Sequence, residues 1–134
     1  MFGKPAKKKP HSRIDTLIGA GTTIVGDLNF SGGLRIDGRV TGNVRGAGDA
    51  QTMLVISEHA HVEGEISVSH LVINGTVVGP VHASEFLELN HKARVRGDTR
   101  YGSIEIHLGA IVEGHLIHQD ATAASPGLTP TVSN

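Results

Sequence analysis

The sequence predicts an all-β fold, a single-stranded parallel β-helix (β-solenoid) of triangular section with about six coils, flanked by disordered tails. The first observation is a five-residue beat of apolar residue, spacer, glycine, spacer and apolar residue. It recurs at Ile24–Leu28, Val40–Val44, Val62–Ile66, Val77–Val81, Val95–Thr99 and Val112–Leu116, with threonine closing one copy. The second is a set of apolar–variable–apolar segments between the beats: Leu34-Arg35-Ile36, Leu54-Val55-Ile56, Leu71-Val72-Ile73, Leu87-Glu88-Leu89 and Ile104-Glu105-Ile106. Such alternation places one side of each strand inward. The third is the coil length: the beat glycines are 16, 22, 15, 18 and 17 residues apart, and the 22 shrinks to about 16 if Gly46–Gln51 is an inserted loop.

Residues 1–13 carry prolines at 5 and 10 and no periodicity, so they read as a disordered basic arm. Lys4, Lys7, Lys8, Lys9 and Arg13 precede the first acid, Asp15, which leaves seven bases against twelve further acids after it. The net charge of −1 therefore hides a segregated distribution. Lysines behind an apolar Met1-Phe2 pair suit an anionic membrane surface, each base contributing about 1 kcal/mol there. A solvated tail or a nonspecific nucleic-acid arm is the alternative that composition leaves open. Glycine stands third and not second, so N-myristoylation is not expected.

The solenoid is expected over residues 14–118. Each coil has three short faces: the beat, a face carrying Phe30, Val68, Ala83 and Tyr101, and the alternating strand. Each strand pairs with its equivalent one coil away, and Ile24, Val40, Val62, Val77, Val95 and Val112 stack as one inward column about 4.7–4.9 Å apart. Aromatic content of 3% leaves the packing to aliphatic side chains. Corners of four and six residues break the strict hexapeptide period of a left-handed helix, so right-handed winding is expected. Ser31-Gly32-Gly33 reads as a turn. Residues 119–134 lose the beat, gain two prolines and read as a disordered C-terminal tail.

No catalytic constellation emerges. With no cysteine, thiolate metal sites and disulfides are excluded. His59 and His61 have a spacing compatible with a metal, with Glu63 or Glu65 as further ligands, but solvated side chains are the default reading. Gly19-Ala20-Gly21 and Gly46-Ala47-Gly48 lack the Gly-Lys-Ser/Thr of a phosphate loop, so no nucleotide is expected. Glu63 and Glu65 share an outward side without a cleft for a sugar. No cofactor and no metal are expected. Middle residues of the alternating strand expose adjacent Val55 and Val72, a patch of ordinary size for a β surface.

The Met-Phe-Gly-Lys start, the repeated Val-x-Gly-x-Val beats, the Leu-x-Ile strands and Leu34-Arg35-Ile36-Asp37-Gly38-Arg39-Val40-Thr41-Gly42-Asn43-Val44 together resemble a bactofilin, a bacterial polymer-forming cytoskeletal protein. The resemblance covers residues 1–118. It implies filaments built end to end without nucleotide, membrane association through the arm (Met1, Phe2, Lys4, Lys7, Lys8, Lys9), and a scaffold for cell-envelope enzymes or cell-shape factors. It also implies a cytoplasmic location on the inner face of the membrane. Independently, a solenoid ends in unpaired backbone and open apolar columns that need caps or partners. The expected polymer contacts are Ile18, Ile24, Leu28 and Phe30 in the first coil, and Ile104, Ile106, Val112, Leu116 and Ile117 in the last. The partner is thus a second copy, with the anionic membrane surface and envelope proteins beside it, and no specific nucleic acid. A β-helical enzyme of the acyltransferase or sugar-active type and a nonpolymerising binding module are the competing classes.

Overall fold

A computed structural model describes residues 14–47 and 51–119. The expected arm at 1–13, residues 48–50 of the inserted segment, and residues 120–134 of the expected tail lie outside the described residues. Coil one consists of β1 (Thr16–Ile18), β2 (Thr23–Val25) and β3 (Leu28–Phe30). Coil two has β4 (Gly32–Ile36), β5 (Arg39–Thr41) and β6 (Val44–Gly46). Coil three has β7 (Thr52–Ile56), β8 (His61–Glu63) and the first half of β9 (Ile66–Ile73), which turns the corner to open coil four. Then come β10 (Thr76–Val78), the long β11 (Val81–Leu89), β12 (Arg94–Arg96), the long β13 (Thr99–Ile106), β14 (Ile111–Glu113) and β15 (Leu116–His118). Six coils result, every strand pairing is parallel, and no helix occurs among the described residues.

The beats form a six-stranded sheet ordered β14-β12-β10-β8-β5-β2. The other two faces merge into one nine-stranded sheet because β9, β11 and β13 run across the corner between them. A register shift between Ala83 and Phe86 marks that corner in the pairings of β11. Sequence alternation anticipated separate faces; a continuous bend is the structural solution, since parallel neighbours bend together and keep their ladder bonds.

Inward columns are almost wholly aliphatic. Val40, Val62 and Val77 are 0–1% exposed, as are Leu34's neighbours Leu54, Leu71 and Leu87 and the column Ile36, Ile56, Ile73 and Leu89. All six beat glycines adopt φ between 131° and 151°. Side-chain acceptors close several corners: Asp27 Oδ1 accepts from the Asn43 N–H and Asn43 Oδ1 from the Glu65 N–H, both at 3.0 Å. The residue after the beat glycine thereby ties coil one to coil two and coil two to coil three.

Two sequence expectations need correction. Gly32 and Gly33 are not a turn but the start of β4, with the Gly33 N–H donating to Asp15 Oδ2 at 3.0 Å. The acid lies 18 residues upstream, so local sequence gave no sign of it. Gly46 likewise closes β6 in register with Phe30, so the extra residues begin after it.

Thr99 is the odd member of the column Leu28, Val44, Ile66, Val81, Thr99 and Leu116. It is 0% exposed and its hydroxyl has no hydrogen-bond partner. A buried hydroxyl without a partner costs about 1–3 kcal/mol. Thr99→Val, which keeps the shape, is expected to stabilise the chain by about 1 kcal/mol. A urea midpoint unchanged or lowered in the variant would contradict this.

Candidate functional site

Among the described residues the register leaves two open ends. At the N-terminal end β1, β2 and β3 each pair on one side; at the C-terminal end β14, β15 and residues 103–106 of β13 do so. Their outer backbone groups form sheet edges, and such edges invite pairing.

The C-terminal end is the more open. Ile106 is 48% exposed where its in-register neighbour Leu89 is 0%, and Leu116 is 41% exposed where Thr99 is 0%. Among the described residues no further coil stacks on them. Ile104 and Val112 are partly buried against the core. Ile117, expected among the end residues, stands in register with Arg100, in an outward column, and borders the end from the flank. At the N-terminal end Ile24, Leu28 and Phe30 are partly buried, whereas Ile18 is only 7% exposed.

Apolar surface extends from the ends onto the sides of the terminal coils. Ile111 continues the outward column Arg39, His61, Thr76 and Arg94, and Ile117 continues Arg45, Ser67, His82 and Arg100. Leu108, on the last corner, is 96% exposed, and Val25 in coil one is 81% exposed. Two polar columns thus turn apolar at the C-terminal end. Ile117 is among the contacts the sequence predicts, whereas Ile111, Leu108 and Val25 are not; aligning the outward columns in register singles out Ile111 as a departure from a polar series.

The remaining candidates sit elsewhere. His59 lies on a turn 3.7 Å from Glu58, and His61 Nε2 is 2.9 Å from Glu63 Oε2, so the two imidazoles face separate carboxylates. Glu65 is exposed in the corner after Gly64, its N–H bonded to Asn43. Val55 and Val72 are half-buried and line a shallow groove of about 400 Å³ with Ala20, Arg35 and Asp37.

Two carboxylates near the corners are held below the ordinary aspartate range. Asp37 accepts from the Ser57 hydroxyl and from Arg35 Nε at 2.9 Å. Asp98 accepts from the His115 N–H at 3.2 Å and lies 3.1 Å from His115 Nδ1. Both titrate lower folded than at the ordinary value of 3.8. Their contribution is therefore complete above that value and lost as pH falls through the lower folded values. The urea midpoint is expected to fall as the pH is lowered below 3.8, and less steeply in Asp37→Asn. Equal slopes in variant and parent would remove Asp37 from the explanation.

Residues 16–117 match the family profile described as "Bactofilin: Polymer-forming cytoskeletal". The chain is 29% identical over 120 residues to bactofilin BacP of Myxococcus xanthus, covering 89% of this chain and 47% of that protein. It is 29% identical over 112 residues to bactofilin BacO of the same organism, covering 84% and 86%. The chain thus spans about half the length of BacP. Among solved structures it is similar to a Thermus thermophilus bactofilin in a cryo-EM reconstruction of double helical filaments. That likeness has a TM-score of 0.63 at 27% identity and covers 78% of this chain and 99% of that one.

Proposed function

Because this chain belongs to the bactofilin family, we propose that it is a cytoskeletal scaffold whose solenoids join end to end into filaments without nucleotide. The observation that carries the reading is the pair of open ends with apolar columns, above all Ile106 and Leu116 at 48% and 41% exposure. Filament formation by the similar Thermus protein supports it. The basic arm with Met1, Phe2, Lys4, Lys7, Lys8 and Lys9 attaches the polymer to the inner face of the cytoplasmic membrane, where it positions cell-envelope enzymes or other scaffold proteins. The protein is not an enzyme in this reading. An acyltransferase-like solenoid asks for a strict six-residue period or a long active-site loop, and the uneven corners argue against the first.

Negative-stain electron microscopy of the purified chain without nucleotide tests the core of the proposal. Straight unbranched filaments are expected, and monomers at every concentration would overturn it. Membrane attachment is tested separately by pelleting with anionic liposomes. The full chain is expected to pellet and the chain lacking residues 1–13 to remain in the supernatant; equal pelleting would dismiss the arm as the anchor.

A further inference from the structure

One group of outward side chains departs from the pattern of the surface. Glu88 on β11 in coil five and Glu105 on β13 in coil six stand directly in register. Carboxylates stacked this way repel, and this is the one directly opposed pair of acids among the described strand pairings. Other outward acids have different neighbours: Glu113 stands opposite Arg96, 2.9 Å away through Nε, and Glu63 stands between Thr41 and Val78.

His107, the corner residue after β13, completes the group. Its Nε2 is 2.8 Å from Glu88 Oε2 and 3.5 Å from Glu105 Oε2. One ligand atom from each of the three residues lies within 4.8 Å of the other two. A zinc-class ion holds nitrogen and oxygen donors at about 2.0–2.2 Å, which puts neighbouring donors roughly 3.0–3.5 Å apart in tetrahedral or octahedral geometry. The two histidine–carboxylate separations bracket that range. Bringing the carboxylates closer needs only side-chain movement on an outward surface where Glu88 and His107 are half-buried and Glu105 is exposed. An imidazole with two carboxylates suits a borderline metal better than calcium or magnesium, which favour all-oxygen sets.

We propose that Glu88, Glu105 and His107 bind one divalent transition-metal ion of the zinc class, which clamps coil six to coil five. The ion offsets the repulsion of the stacked acids and fixes residues 103–107, which include one of the strand segments with a neighbour on one side only. The site does not depend on the filament reading. If that reading holds, the metal also orders the coil that presents Ile104 and Ile106.

Zinc is titrated into the full chain by isothermal calorimetry, with hydrogen exchange followed over the last two coils. One ion per chain is expected, with slower exchange at 103–107. Glu88→Gln, Glu105→Gln and His107→Gln should each weaken binding roughly tenfold or more, while His61→Gln leaves it unchanged. Circular dichroism confirms that each variant retains its strands. Equal affinity in the parent and the three variants, loss of binding in His61→Gln, or exchange at 103–107 unaffected by zinc would overturn the site. Filament assembly in the variants is read separately, so its failure and the failure of the metal site are distinguishable.

Discussion

Leu116→Arg is expected to convert long filaments into short soluble species while leaving the fold intact. Leu116 closes an inward column at the last coil and is 41% exposed in the single chain. A guanidinium there reaches water in the monomer, so folding loses little. In the proposed end-to-end filament a second copy would cover the same position, and an unpaired charge would be buried. Removing water from such a charge costs several kcal/mol even after relaxation. With about 1.4 kcal/mol per tenfold, a loss of about 3–5 kcal/mol weakens the contact by roughly two to four orders of magnitude. If the C-terminal ends meet each other, two arginines face one another and the effect grows. Sedimentation velocity should show short species and electron microscopy no long filaments, with unchanged circular dichroism. Long filaments in the variant would exclude Leu116 from the polymer contact. The flank residues offer a graded comparison: Ile117→Arg, in the column of Arg100, should weaken assembly less than Leu116→Arg.

The solenoid was legible because its constraints repeat. Each beat glycine, Leu-x-Ile strand and inward valine makes the same demand every 15 to 22 residues, and six repetitions leave few alternatives. The corner spanned by β9, β11 and β13 was not legible, because a strand that bends across two faces has the same alternation as two short ones. Gly32-Gly33 misled for a related reason: its local chemistry is that of a turn, and its strand role depends on Asp15, one coil away. The open ends were legible as a matter of counting coils, and so was the flank residue Ile117, but Ile111 and Leu108 were not. Glu88 and His107 are separated by 19 residues and look like solvated groups until the register sets them 2.8 Å apart. Interactions between coils belong to the register, and the register depends on corner lengths that no single repeat reveals.

The same register separates folding from assembly at two glycines. A Cβ on Gly64 would stand 2.0 Å from the Gly42 carbonyl oxygen and 2.5 Å from its carbon, in a backbone at φ +148°. Both obstacles are main-chain atoms, so no side-chain movement relieves them. Coils two and three would have to separate at this corner, where the Gly42 N–H donates to Glu63 O at 2.8 Å. Strain of about 1–3 kcal/mol and the weakening of ladder bonds at about 1 kcal/mol each bring the loss for Gly64→Ala to roughly 3–6 kcal/mol. Against a typical total stability of 5–15 kcal/mol, little or no folded variant should accumulate at 37 °C, and a urea midpoint near that of the parent would refute the clash. Gly26 has a similar φ of +132° but belongs to coil one, and its Cβ would meet nothing within 4 Å. Gly26→Ala should therefore retain the fold at a cost of about 1–2 kcal/mol. Each later beat glycine has its added Cβ against the preceding coil, so the Cβ on Gly26 projects past the N-terminal end, into the space a second copy would enter. If end-to-end contact brings backbones as close there as successive coils are, Gly26→Ala yields folded chains that assemble poorly. Normal filaments from this variant would mean that the N-terminal ends meet through side chains such as Ile24 and Phe30, with the backbones held apart.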